Sequence, residues 1–484
     1  MRAPLSLSLP HSRAAGALVA CVLLAGCLPA PPPGIPAPQP PPAVDGPALV
    51  VAIPPPPPDA PPPEAEAPPP PAMPSLAGGS WPMFHGDLAR TGVVRARPIK
   101  SPRMLWHATV GIQGWLNAPV IVGALVVVPS SGDKHNFPDA RDGLHALDLR
   151  TGRPVWQAHF DADANGVALA GGRAFATSDD GHTYAVALDS GAILWKQKGL
   201  GKVYAGPLPI GDQVIVGDAG GLLRAYAQAD GAPRWKVQLD GAIRGGAASD
   251  GRIIYAASQG GDVVAVTLDG HEMWRRAVTR PGFGGGKPVP IEAYPAPIVD
   301  QDHLIVPFAR DTGYDTPALV ALDTRTGKSR WTAQGIGKID WGNIRTTPVL
   351  VDGLLIYGEP YSGDVAAVDA KSGRTRYRIT LGPCFFPQWA SPVAAGDLVY
   401  LPRFDGSLYA IHAGTGALAW QLYLGDQRHV APGLPQGHVA GAGCAWEVPS
   451  GASLYAPPAI AEDGTVLIGS GEGVLYAIGD AARP

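Results

Sequence analysis

From about residue 80 onward, short apolar runs alternate with polar turns, and no helix-period segment of useful length follows residue 27. The runs are built from small, β-branched and aromatic residues, as in Leu144-His145-Ala146-Leu147-Asp148, Val365-Ala366-Ala367-Val368-Asp369 and Leu408-Tyr409-Ala410-Ile411-His412. Each is followed by a glycine and, four residues later, by an aromatic: Gly152/Trp156, Gly191/Trp195, Gly231/Trp235, Gly270/Trp274, Gly327/Trp331, Gly373/Tyr377 and Gly416/Trp420. The run before the Asp predicts one strand and the residues ending at the aromatic a second. Between them, Asp and Thr side chains hold a tight turn by accepting from backbone amides, and Gly supplies positive φ. Each copy is therefore expected to be a β-hairpin whose large aromatic packs on a neighbouring unit.

A repeat of this regularity decides the architecture before any single residue does. Apolar strands at 118–122, 347–351 and 391–395 open their units, and turn signals such as Asp352-Gly353 and Gly396-Asp397 separate them from a second strand. Residues 103–109, with Trp106, look like a fourth strand lacking its first three; residues 456–461, 465–469 and 473–478 supply three strands lacking a fourth. Joined, the two ends complete one more unit. The expected fold is all-β, an eight-bladed β-propeller of four-stranded blades in which an N-terminal strand completes the last blade. A β-sandwich array, the competing arrangement, does not require the split unit.

Composition fits one large domain rather than several. The 484 residues include 63 Gly, as expected of many short strands joined by turns, and 54 Pro, concentrated in one tract. Formal charge is −4. Arg2 and Arg13 belong to the leader and Asp45, Asp59, Glu64 and Glu66 to the proline tract, which leaves 35 basic against 37 acidic residues in the folded part. That balance gives no electrostatic footprint for nucleic acid.

Residues 1–26 have the pattern of an export signal, with Arg2 and Arg13 ahead of an apolar run at 14–24 that is too short to span a bilayer. Leu24-Ala25-Gly26-Cys27 resembles the lipobox of bacterial lipoproteins, which implies an acylated Cys27 and, by the identity of Leu28, the outer membrane, with the domain on its periplasmic face or at the cell surface. An ordinary secretory signal with an incidental cysteine is the alternative. Residues 27–75 form a Pro-rich tether, including the runs 54–58 and 68–71, and the propeller is assigned to 76–484. At roughly 3.1 Å per residue, a straight polyproline II tether reaches at most about 145 Å. A proline-motif ligand is the other reading of this tract.

The element Ala-x-Asp-x-x-Thr-Gly-x-x-x-Trp resembles the tryptophan-docking motif of propellers of the pyrroloquinoline-quinone (PQQ) repeat type. Residues 146–156 and 321–331 match it fully; 367–377 carries Ser372 and Tyr377 instead, 410–420 carries His412, and the intervening copies are shorter or displace the Asp. The resemblance covers about 81–484 and speaks for fold, since sites are grafted onto folds. It makes Trp106, Trp156, Trp195, Trp235, Trp274, Trp331, Tyr377 and Trp420 structural docking residues. Within this type, the chain is most similar to the BamB-like lipoproteins of the outer-membrane barrel-assembly machinery, which implies a non-catalytic scaffold with envelope proteins or peptides as partners. The long tether departs from that pattern.

Loops from the fourth strand of one blade to the first of the next, and from second strand to third, share one face of a propeller. The extra length falls there, at 130–142, 278–293, 310–317, 335–344 and 424–453, together with Trp115, Trp341, Trp389 and Trp446. These tryptophans either plug the central channel as core or anchor a peptide, glycan or flat cofactor, with Arg310, Arg403 and Glu359 as polar partners. Cys384 and Cys444 stand in successive blade-junction loops, an even pair for a disulfide, with free thiols or a metal pair as alternatives.

Asp161-Ala162-Asp163-Ala164-Asn165-Gly166 opens like a calcium loop, although Gly172 stands where the closing acidic ligand belongs; a plain polar turn is the simpler reading. No catalytic motif for zinc, serine or phosphate chemistry is present. PQQ dehydrogenases resemble larger chains with a vicinal disulfide and calcium-binding acids; this sequence has no Cys-Cys pair. The expectation is a monomeric, lipid-anchored binding module with no catalytic residues and neither PQQ nor calcium. A PQQ-dependent oxidoreductase or a glycan-binding surface lipoprotein is the alternative.

Overall fold

In a blade, four short antiparallel strands lie side by side, and the turn between the third and fourth is built by the repeat itself. Asp323 Oδ1 accepts from the Thr326 amide at 2.9 Å and its hydroxyl at 2.9 Å, and Gly327, at φ +64°, closes the turn through its amide to Asp323 O. Asp148 with Thr151 and Asp369 with Ser372 repeat this arrangement. The fourth strand then bulges just before its aromatic: Trp331 pairs with Ala321 and Ser329 with Leu322, so Arg330 has no partner across the ladder.

The computed structural model describes residues 81–114, 117–280, 286–308, 317–334, 346–358, 364–381, 390–403, 406–424, 454 and 456–481. These form an eight-bladed β-propeller. Blades 1 to 7 run in chain order over residues 120–159, 164–198, 208–238, 248–277, 298–334, 349–380 and 393–423. Blade 8 takes its first three strands from 459–480 and its fourth from Pro102–Thr109, with Trp106 opposite Ala477. The split unit read from the two ends of the sequence is therefore present. No helix occurs among the described residues. The innermost strands are shorter than expected, three residues at Val120–Val122, Val349–Val351 and Val393–Ala395.

Docking between blades is uniform. Every docking indole but Trp420 lies on the turn glycine of the next blade, so that a Cβ built on Gly373 would fall 2.5 Å from Trp331 Cε3, with Trp106 over Gly152 and Trp274 over Gly327 placed alike. Each Nε1 donates to a carbonyl beyond the third strand of that blade: Trp106 to Leu149, Trp156 to Leu188, Trp195 to Gln228, Trp235 to Leu268, Trp274 to Thr324 and Trp331 to Ala370, all at 2.9–3.1 Å. Tyr377 puts its hydroxyl in the same role, 2.8 Å from Ala413 O. Trp420 closes the ring on Ile99 O at 2.6 Å. The rings are half-buried to buried at the outer side of the interface; Ala and Val of the inner strands fill the deeper core.

One arrangement was not foreseen. The segment ahead of blade 8's outer strand threads the central channel, and its carbonyls accept the equivalent inner-strand amide of six blades. Trp81 takes Ile121, Pro82 takes Leu169, Leu88 takes Ser249, Ala89 takes Val299, Thr91 takes Leu350 and Gly92 takes Ala394. Blade 3 carries Pro209 at this position and has no amide to give. The chain then leaves as Val93–Val94, a parallel fifth strand on the inner edge of blade 7.

Candidate functional site

The threaded segment blocks the channel at the short-turn end. Arg90 is fully buried there, with Nε on Ala247 O at 2.9 Å, Nη1 on Phe84 O at 2.7 Å and Nη2 on Pro207 O at 3.4 Å. Burial draws its pKa down to about 10 and that of the enclosed His85 to about 3, so the imidazole is neutral and Nδ1 donates to Arg90 O. Above this floor remains a cavity of about 30 Å3, lined by Phe84, Gly166, Gly206, Gly246, Thr347 and Ser391 among others. A space of that size holds one or two waters.

The long-loop face offers more. Tyr204, Arg244 and Tyr294 occupy equivalent positions, each four residues ahead of the first strand of blades 3, 4 and 5. The guanidinium of Arg244 lies 4.5 Å from the Tyr204 ring centre and 5.5 Å from that of Tyr294. Its Nε donates to Gln259 Oε1 at 2.7 Å, and Gln259 is held by Glu292 at 3.2 Å. Among the described residues no acceptor engages its Nη groups, so a planar fork is fixed in orientation with its donors available.

Beside this clamp, the loop after the second strand of blade 1 reaches over blade 2. Its anchor is Asp163, which is buried and accepts from His135 Nδ1 at 2.6 Å and the Asn136 amide at 3.0 Å. Lys202 of the blade 2–3 junction binds Asp179 at 2.6 Å and Asn136 Oδ1 at 3.4 Å. The hydrogen bond to Asp163 holds the His135 pKa above its ordinary value, whereas burial pushes Asp142 at the loop's end up to about 6. The loop presents Phe137, 54% exposed, and the neighbouring junction presents Leu200, 59% exposed. An arc of Phe137, Leu200, Tyr204, Arg244 and Tyr294 thus crosses blades 1 to 5 on the face that the loop lengths single out.

One sequence expectation fails here, and one alternative that the sequence left open is not formed. Arg403 is not a polar partner on the binding face: it is fully buried, with Nη1 on Leu381 O and on the Tyr409 hydroxyl at 3.2 Å, bridging blades 6 and 7. The calcium loop is not formed. Ala164–Ala170 is a strand with an irregularity between Ala164 and Val167, and the three side chains take separate partners: Asp161 is exposed near Lys196 at 3.8 Å, Asp163 accepts from His135, and Asn165 donates to Asp179 at 2.9 Å. No metal-holding cluster of three such residues occurs among the described residues. Cys27, Cys384, Cys444, Trp115, Trp341, Trp389, Trp446, Arg310 and Glu359 lie outside the described residues. The clamp was missed because Tyr, Arg and Tyr are equivalent in register and not in type.

The family profile of "Outer membrane protein assembly factor BamB" matches at residues 90–225, 140–281, 219–383 and 344–444, most of the chain. The chain belongs to the BamB family. The assembly factor BamB of Yersinia pestis is 22% identical over 303 residues, covering 59% of this chain and 63% of the relative. The structure of BamB from Moraxella catarrhalis superposes with a TM-score of 0.54 at 16% identity, over 79% of this chain and 99% of that one. A europium-containing methanol dehydrogenase superposes with a TM-score of 0.59 at 16% identity, over 83% and 98%. At such identities the structural likenesses speak for the propeller alone.

PQQ is the cofactor that the repeat type brings to mind. The described residues do not fit it. Its fused rings and carboxylates exceed a cavity of about 30 Å3, and the floor guanidinium of Arg90 is already committed to three carbonyls.

Proposed function

We propose that this protein is a non-catalytic, lipid-anchored scaffold of the bacterial envelope that serves outer-membrane protein assembly, and that it grips its protein partner with the arc from Phe137 to Tyr294. Family membership supports the assembly role. The observation that carries the binding surface is Arg244, oriented between two tyrosines with its Nη donors unspent beside exposed Phe137 and Leu200. A guanidinium held this way loses little freedom when it meets a carboxylate, and aromatic and Arg side chains dominate interface energetics. Residues 1–26 act as the export signal, Cys27 as the lipid attachment and 27–75 as the tether, with Cys384 and Cys444 joined in a disulfide.

The experiment is a cross-linking pull-down from intact cells. Barrel-assembly proteins are expected with the wild-type chain and lost with Arg244→Ala combined with Tyr294→Ala, while the thermal midpoint stays near wild type. Undiminished recovery refutes the assignment of the face. The dehydrogenase reading, kept in view by the fold likeness to a methanol dehydrogenase, predicts quinone absorbance and dye-linked alcohol oxidation after incubation with PQQ and a divalent or lanthanide ion. Our reading predicts neither.

A further inference from the structure

The two positions ahead of each docking aromatic lie on the outermost strand of a blade, next to the turn between its third and fourth strands. They differ around the ring. Blades 8, 1 and 2 carry Met104 with Leu105, Val155, and Ile193 with Leu194, all 42–53% exposed. Blades 3, 5 and 6 instead place Arg234, Arg330 and Arg376 just before the aromatic. Among the described residues nine large apolar side chains are exposed, so five of them on three consecutive blades form a patch rather than a scatter.

This patch is at the short-turn end of the propeller. The outer turns of blades 1 and 2 bond there to the inner turns of the same blades, Leu149 N to Ala124 O and Leu188 N to Gly172 O. The segment that leaves the channel crosses the same end, where a Cβ built on Gly396 of the blade 7 inner turn would fall 3.1 Å from Pro98 Cδ. Residues 93–109 include Arg95, Arg97, Lys100 and Arg103, all exposed, and no acid. Exposed Arg150 and Arg153 flank the outer turn of blade 1; Asp189 is the exposed acid on the outer turns of these blades, and Glu462 and Asp463 belong to the inner turn of blade 8. Blades 5 and 6 also carry bases there, such as Lys328 and Arg374, but their rims expose no large apolar side chain among the described residues. Apolar tips set among bases suit an anionic lipid surface, the tips entering the headgroup boundary while the cations meet phosphates.

The rest of the chain joins at this end as well. Trp81 O accepts from the Ile121 amide, one residue before the inner strand of blade 1 ends at Val122. Residues 27–80 therefore connect to the propeller on the side of the rim, and the first of them is the lipid attachment of the reading above.

We propose that the short-turn rim of blades 8, 1 and 2 seats on the anionic phospholipid bilayer that holds the anchor. Met104, Leu105, Val155, Ile193 and Leu194 enter the headgroup boundary, and Lys100, Arg103, Arg150 and Arg153 face the phosphates. The Arg244 clamp, on the opposite face, is then turned away from the bilayer toward its partner. The proposal rests on the envelope reading only for the presence of a bilayer.

The test is co-sedimentation of the chain from residue 27 onward, which contains every described residue, with Cys27→Ser so that no acyl chain contributes. Vesicles are phosphatidylglycerol and phosphatidylcholine in equal parts, or phosphatidylcholine alone. Binding is expected to the first and not the second, and to fall with added salt. Arg150→Ser with Arg153→Ser should weaken it by roughly fivefold for each base removed. Ile193→Ser with Leu194→Ser should weaken it by roughly tenfold with the thermal midpoint unchanged, since both side chains are half-exposed. Arg374→Glu on blade 6 and Arg244→Ala should leave binding near wild type. No phosphatidylglycerol-dependent binding, binding undiminished by both rim variants, or an equal loss with Arg374→Glu overturns the proposal. No partner protein is present, so failure here leaves the assembly reading standing, and a failed pull-down leaves the rim untouched.

Discussion

Trp331→Ala tests whether the docking residue acts as an inter-blade strut and as nothing else. In the structure the indole is half-buried, rests on Gly373 and donates to Ala370 O at 3.0 Å. Removing a buried Trp side chain costs about 3–5 kcal/mol. Partial exposure of Trp331 reduces the transfer part, while the lost hydrogen bond adds about 1 kcal/mol. The expected loss is therefore about 2–4 kcal/mol. Trp331→Tyr separates ring from strut, because Tyr377 shows that a phenol meets the same carbonyl; its expected cost is about 1 kcal/mol. The assay is equilibrium urea unfolding, with the midpoint compared at constant slope. A Trp331→Ala midpoint equal to wild type, or a Tyr variant as unstable as the Ala variant, refutes the docking argument. Partner recovery in the pull-down is expected to be unchanged by either substitution.

Gly373→Ala should also destabilise the ring, by about 1–2 kcal/mol for positive φ alone, with more from the Cβ placed 2.5 Å from the Trp331 ring; Gly353→Ala, which shares a positive φ but meets nothing within 4 Å, isolates the backbone part in the same unfolding assay. Acidification should weaken the fold through His85, whose folded pKa is about 3 against an ordinary 6.5. Between those values the unfolded chain binds a proton that the folded one refuses, so stability is full above pH 6.5 and declines below it by up to about 1.4 kcal/mol per pH unit; His85→Gln should flatten the slope. His135 has the opposite sign: its raised pKa means that the contact with Asp163 is complete below pH 6.5 and is lost as pH rises through the folded value. Hydrogen exchange at residues 133–141, corrected for base catalysis, should accelerate over that range, and an unchanged rate contradicts the role given to His135.

The repeat was legible because one hairpin chemistry recurs. Asp148, Thr151, Gly152 and Trp156 each act locally, and the same physics returns in every copy that keeps the motif. Ring closure was legible for the same reason, since Trp106 marks a fourth strand wherever it stands in the chain. The threaded segment was not. Its contacts are backbone carbonyls meeting amides of distant blades, and carbonyls leave no trace in residue type. Arg403 misled because a charged residue between two strands suggests exposure, yet here the carbonyl of Leu381 and the Tyr409 hydroxyl receive it in the interior. The Asp161, Asp163 and Asn165 spacing suits a cation loop and a polar turn alike, but Ala164 pairs with Ser178 and the Gly166 amide donates to Thr177 Oγ1, which draws the chain into the blade 2 sheet from Ala164 onward.

The channel segment also sets a timetable for folding. Trp81 to Gly92 is made before any blade, yet its carbonyls wait for amides as late as Ala394, and Trp106 waits for Ala477. Contacts so distant in sequence are slow to form, because the chain loses loop entropy before they can reward it. Until the last strands arrive, blades 1 and 7 each show a flank that the finished ring hides. A chain cut short before Val474–Asp480 would keep those flanks open for good, and self-association, rather than simple loss of stability, is the failure to expect from it.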